Sequence, residues 1–193
     1  MTDSDHHTPL AAGMTHMATQ VVATFEELHH DAVPWGALAP SAYRIGLPDP
    51  SALAEIGIDR DPAISLHALD IRLPDGDLPA HLLAYAQTLL DNRRTTSLGE
   101  PGLVDALEGL TVGLLTIAER FKIDSTGSVR QRATTAVLAN GTAVHIIRTQ
   151  DQPHVSRTIG HITTPGPRMA HALWHLSQAL DIFPATPPPT AHP

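Results

Sequence analysis

Apolar residues recur along the chain in two rhythms. Met14, Met17, Val21, Phe25 and Leu28 lie three or four positions apart, which puts them on one face and predicts a helix over 14–30. Leu82, Leu83, Ala86, Leu89 and Leu90 follow Pro79, a residue suited to a first helical turn, and predict a second helix over 79–91. Met169, Leu173, Leu176, Leu180 and Phe183 define the apolar stripe of a third, over 167–182. Elsewhere the period is two. Ile64, Leu66 and Ala68, then Leu69, Ile71 and Leu73, predict a strand over 64–73 that stops at the turn Pro74-Asp75-Gly76-Asp77. Val129–Leu138 and Thr142–Thr149 are β-rich runs flanking Ala139-Asn140-Gly141, and Asn-Gly between such runs is the strongest short hairpin signal. Val155 and Ile159 add a strand over 153–159.

The connecting stretches are punctuated. Pro34, Pro40, Pro48 and Pro50 predict a turn-rich connector carrying Trp35 and Tyr43, and Ser51 is placed to cap a short turn through Ile56. A polar break over 92–101, with Arg93-Arg94-Thr95-Thr96-Ser97, reads as a loop between two halves. Residues 102–123 satisfy two periods. Leu103, Leu107, Leu110, Leu114, Ile117 and Phe121 suit a helical face, yet Gly109 and Gly113 would each cost a helix interior about 1 kcal/mol relative to alanine. Leu115, Ile117, Glu119, Phe121 and Ile123 alternate, so a short helix to 108 and a long strand over 111–123 are expected. The fold class is therefore α+β, an antiparallel sheet of three to five strands packed on one face by helices. Residues 1–13 read as a disordered lead, 14–183 as one domain, and 184–193 as an extended proline-rich tail.

A two-residue Asn140-Gly141 loop would set Ala136 opposite His145, Thr135 opposite Ile146 and Ala133 opposite Arg148, with Glu119 beside Ala133 on the preceding strand. Leu115, Ile117, Phe121, Val137, Val144 and Ile146 then share an apolar face. Glu119 and Arg148 flank Ala133 from strands roughly 10 Å apart, which long side chains can bridge, so an ion pair is expected. The other face would carry Arg120, Lys122, Arg130 and Arg132 with Thr116, Thr134 and His145, a surface that attracts anions. An ordinary solvated sheet face also carries charges, and no aromatics interleave these to stack nucleic-acid bases.

Composition narrows the chemistry. The 193 residues carry no cysteine, which removes disulfides, thiolate metal sites and a cysteine nucleophile. No apolar run approaches the roughly 18 residues of a membrane span, and the acidic, polar start lacks the pattern of a secretory leader, so a cytoplasmic protein with no membrane partner is expected. A net charge of −8 argues against a generic nucleic-acid coat, and 13 histidines would offset much of it on mild acidification. His171 and His175 stand one helical turn apart, a spacing at which both imidazoles reach one metal, although Ala172 occupies the place of a zinc-protease glutamate. On the wheel they point away from the apolar stripe, with Trp174 near that outer face as a packing residue for a partner. His29-His30-Asp31 closes the first helix, where a histidinium would complement the helix end. No glycine-rich phosphate loop, dinucleotide fingerprint or nucleophile elbow occurs, and no cofactor is implied.

Gly113 to Ile123 with Glu119 two before Phe121, the arginine-bearing strand into Ala136-Val137 and Gly141, then His145, Arg148 and a closing helix around Met169 to Leu180 form a pattern. It resembles uncharacterised proteins encoded by actinobacteria and their phages, with Phe121 standing for a tryptophan and His145 for a tyrosine. The resemblance implies strands over 111–123 and marks Glu119, Phe121 and Arg148; it implies no activity. The function expected is a non-catalytic binding or regulatory module. Arg120, Lys122, Arg130, Arg132 and His145 would meet a protein partner, an anionic ligand or a nucleic-acid backbone. The alternatives are a histidine- and aspartate-dependent hydrolase with a metal at His171 and His175, and a phage or defence accessory protein acting by protein contact.

Overall fold

The computed structural model describes residues 8–47, 65–69, 71, 73–74, 76–95, 110–124, 127–162 and 168–180. Within them lie helix α1 (Thr8–Ala32), strands β1 (Ser41–Leu47) and β2 (Ser65–Ala68), helix α2 (Leu78–Thr95), strands β3 (Leu110–Asp124), β4 (Gly127–Leu138), β5 (Thr142–Thr149) and β6 (Val155–His161), and helix α3 (Arg168–Ala179). All strand pairs are antiparallel, in the order β2-β1-β3-β4-β5-β6. The class is α+β. Six strands form the sheet where three to five were expected, because Ser41–Leu47 pairs with both β2 and β3 inside the segment read as a connector. Its prolines, Pro40 and Pro48, bound the strand rather than fill it. The turn at 51–56, the short helix before 108, the end of the 92–101 break and the 184–193 tail lie outside the described residues.

Helices cover both faces of the sheet, which corrects the one-face expectation. Ala18, Val22 and Ala23 of α1 pack on Ile45, Leu115, Ala136, Val144 and Ile146. On the reverse, Leu78, Leu82 and Ala86 of α2 and Ala170, Leu173 and Leu176 of α3 pack with Leu114 and Val137. Each large aliphatic side chain so buried stabilises the fold by about 1.5–3 kcal/mol. The phase of α1 differs from the expected stripe: Met17 and Leu28 are exposed, and Ala18, Val22 and Glu26 face the sheet. Small side chains let the helix sit close, and Glu26 has an ionic partner there. α1 begins at Thr8, within the expected lead, and α2 runs on to Thr95, taking Arg93 and Arg94 into a helix.

The 111–123 segment is strand throughout. Its glycine has a packing cause. A Cβ on Gly113 would lie 2.9 Å from both the Val137 carbonyl oxygen and Leu138, and 3.0 Å from Ile45. The space a side chain would need is filled by neighbouring strands, beside the register shift at Ile45/Gly46.

The β4–β5 hairpin closes over three residues rather than two. Gly141 N–H donates to Leu138 O at 2.9 Å, and Gly141 sits at φ 81°. A turn followed by one left-handed residue adds a position, and the register moves by one. Ala136 therefore opposes Val144, Thr135 opposes His145, and Arg132 opposes Arg148. The β3–β4 pairing differs by the same single step, with Glu119 opposite Arg132 and Ile117 opposite Thr134.

Candidate functional site

A one-residue change of register exchanges the faces of a strand. Arg130, Arg132 and Thr134 join Glu119, Phe121 and Arg148 on the α1 side, leaving Arg120, Lys122, Thr116 and His145 on the α2–α3 side. The single basic face expected from sequence is thus divided, and the two parts have different roles.

On the α1 side the charges are structural. Arg132 is fully buried, and its Nη2 donates to Glu119 Oε1 at 2.8 Å. Its terminal nitrogens also donate to His29 O at 2.9 Å and Val33 O at 3.0 Å, while the guanidinium lies 4.9 Å from the Trp35 ring centre. A sheet arginine therefore supplies the positive charge at the carbonyl end of α1. His29 does not. Burial, then the Arg132 charge, lowers its pKa, and it packs as a neutral ring against Phe25, 4.4 Å between centroids. Arg148 pairs with Glu26, donating at 2.8 and 2.9 Å, instead of with Glu119. The expected Glu119–Arg148 pair is replaced by two bridges because Arg132 occupies the place between them. Arg130 lies over the Phe121 ring at 5.1 Å and 3.9 Å from Glu119, and Gly36 N–H donates to Glu119 Oε2.

The α2–α3 side carries the groove. A cavity of about 790 Å³ runs from Thr116, Ala118 and His145 on the sheet, beneath the first turns of α2 and α3, to Arg120, Phe121 and Pro40 at the sheet edge. This size suits a small molecule or a few residues of peptide. His145 and Thr135 share a hydrogen bond of 2.7 Å; burial first, and Arg120 second, push the histidine's pKa down. Arg120 Nε donates to Gln131 Oε1 at 3.3 Å, and Gln131 Nε2 donates to Thr149. Arg120 has no carboxylate partner among the described residues. At the rim, Arg168 donates to Asp77 Oδ2 at 2.9 Å, and Asp77 Oδ1 accepts from Ala80 N–H, capping α2. That pairing holds the Asp77 carboxyl below its usual pKa. Lys122 is exposed one alternate position beyond Arg120.

Arg168 and Asp77 escaped sequence reading because they lie 91 positions apart and meet only when α2 and α3 pack. Glu26 had a signal: it continues the four-residue step from Ala18 and Val22, an acid on a core-facing line. Trp174 is buried within the α2–α3 core rather than at an outer face. His171 and His175 do come together, their Nε2 atoms 3.0 Å apart, but no group of three histidine, aspartate or glutamate side chains assembles there among the described residues. No described helix is long and apolar enough to cross a membrane. Comparison with protein-family models, curated proteins and solved structures gave no match for this chain.

Proposed function

We propose that this is a cytoplasmic, non-catalytic binding module that docks an acidic partner in the groove over β3–β5. The observation that carries the reading is the state of Arg120: a guanidinium at a cavity mouth, oriented by Gln131 and left without a counter-ion among the described residues. Arg168 lies at the same mouth and can exchange Asp77 for another carboxylate, and both helices begin above the groove, where an anion is favoured. Neutral His145 adds a hydrogen-bonding group without charge repulsion. Arg130 and Arg132, occupied on the opposite face, take no part in the groove.

Affinity for an acidic probe peptide in a salt titration tests this. Binding is expected to weaken about tenfold from low to physiological ionic strength and to fall again in Arg120→Ala and Arg168→Ala. Affinity indifferent to salt and to both substitutions contradicts it. A second reading, metal binding for a hydrolase, is favoured by the 3.0 Å separation of the His171 and His175 nitrogens. It requires zinc in the purified protein and a thermal shift reversed by chelator; neither appearing removes it.

A further inference from the structure

The inner and outer halves of β3 have different surroundings on the β1 side. β1 pairs with β3 only as far as Ser41↔Ile117, whereas β3 runs on to Asp124. Beyond Ile117, β3 has a partner in β4 and none on its other side among the described residues. The ladder fixes which peptide groups that leaves open. Ala139 N–H donates to Val112 O in the β3–β4 register, so even-numbered β3 residues turn both peptide groups toward β4 and odd-numbered ones turn both away. Leu69 N–H donates to Ala42 O, which sends odd-numbered β1 residues toward odd-numbered β3 residues in agreement. Phe121 and Ile123 therefore present N–H and C=O groups along an open edge, and their side chains are 64% and 82% exposed.

An open edge carrying large apolar side chains is a template for strand addition. Its charge selects the strand. Arg120 and Lys122 project from one side of this segment and Arg130 lies beside Phe121 on the other. Glu119 is already held by Arg132, Arg130 and Gly36, which leaves Arg120 and Lys122 as the charges of this segment without a carboxylate among the described residues. Two copies of so cationic an edge repel each other, and an acidic chain does not. The groove opens at the same edge, since Phe121, Arg120 and Pro40 all line it. Resting on the docking function above, we propose that the acidic partner binds as an extended segment, adding a strand along Phe121–Ile123 in line with β1 and placing a carboxylate in the groove against Arg120.

The alternation makes a direct test available. Proline at 123 removes an N–H that points outward and leaves the β4 ladder intact, whereas threonine there keeps it. The probe is a labelled, end-capped heptapeptide alternating glutamate with valine, made plain and with N-methyl groups on one or the other alternate set of residues. Strand addition predicts that Ile123→Pro weakens binding about tenfold or more and Ile123→Thr changes it little. It also predicts that only one of the two N-methyl sets weakens binding, because alternate N–H groups face the edge and solvent. The N-methyl comparison holds even if the proline variant fails to fold. Salt-sensitive binding lost in Arg120→Ala but equal for both N-methyl sets overturns strand addition and leaves the docking function standing. Absence of peptide binding overturns both. Self-association abolished by Ile123→Pro, with no peptide binding, overturns the acidic partner in favour of a second copy.

Discussion

Two arginines twelve positions apart on neighbouring strands illustrate how little residue type says without its surroundings. Arg132 is enclosed, with its charge distributed over Glu119 and two carbonyls at the end of α1. Arg120 stands at a groove mouth with a single neutral partner among the described residues. Replacing Arg132 by alanine leaves Glu119 half-buried without its closest cation and uncaps α1, so a loss of about 3–5 kcal/mol is expected. Arg120→Ala is expected to change stability by no more than about 0.5 kcal/mol while weakening peptide binding. Urea denaturation of the two variants checks this; equal effects would contradict the division between structural and docking charges. Glu26→Gln removes the carboxylate charge from a bridge in which Glu26 is almost fully buried, and should resemble Arg132→Ala in direction.

At the scale of elements, the long strand over 111–123, the β4–β5 hairpin and the three helices among the described residues were legible, because their periodicities are local. The register was not. Asn140-Gly141 announces a turn, but whether the loop has two residues or three depends on the conformation of Gly141, at φ 81°. That position decides the face of every side chain on β4 relative to β5, and the same single step in the β3–β4 pairing decides that Arg130 and Arg132 share a face with Glu119. The phase of α1 was hidden for a related reason: small Ala18 and Ala23 face the sheet while larger Met17 and Leu28 do not, so side-chain size pointed the wrong way. Gly141→Ala is expected to cost about 1–2 kcal/mol and Gly141→Asn less, since asparagine tolerates the left-handed region. Thermal melts of the pair measure it. An equal and negligible cost would mean that the turn does not require that conformation.

For the whole molecule, the abundant histidines give a pH dependence with a definite sign. His29, His145 and His175 are each held below their ordinary pKa of 6.5, in every case by burial first and then by Arg132, Arg120 and His171 respectively. The unfolded chain then binds more protons than the folded one just below that pH. Stability from these groups is complete above 6.5 and is lost as the pH falls through their folded-state values. Denaturation midpoints should decline on acidification from pH 7, and a rise would refute the neutral state of these rings. The fold itself, with α1 on one face and α2 and α3 on the other, sets Arg120 at the mouth of the groove and Lys122 beside it on the same strand.

Residue-resolved amide exchange with and without the glutamate–valine peptide addresses that arrangement most directly. In the free protein Arg120 and Lys122 amides should exchange slowly and those of Phe121 and Ile123 quickly; adding peptide should slow the latter two. Protection that leaves Phe121 and Ile123 unchanged, or that appears on β6 instead, would contradict the account.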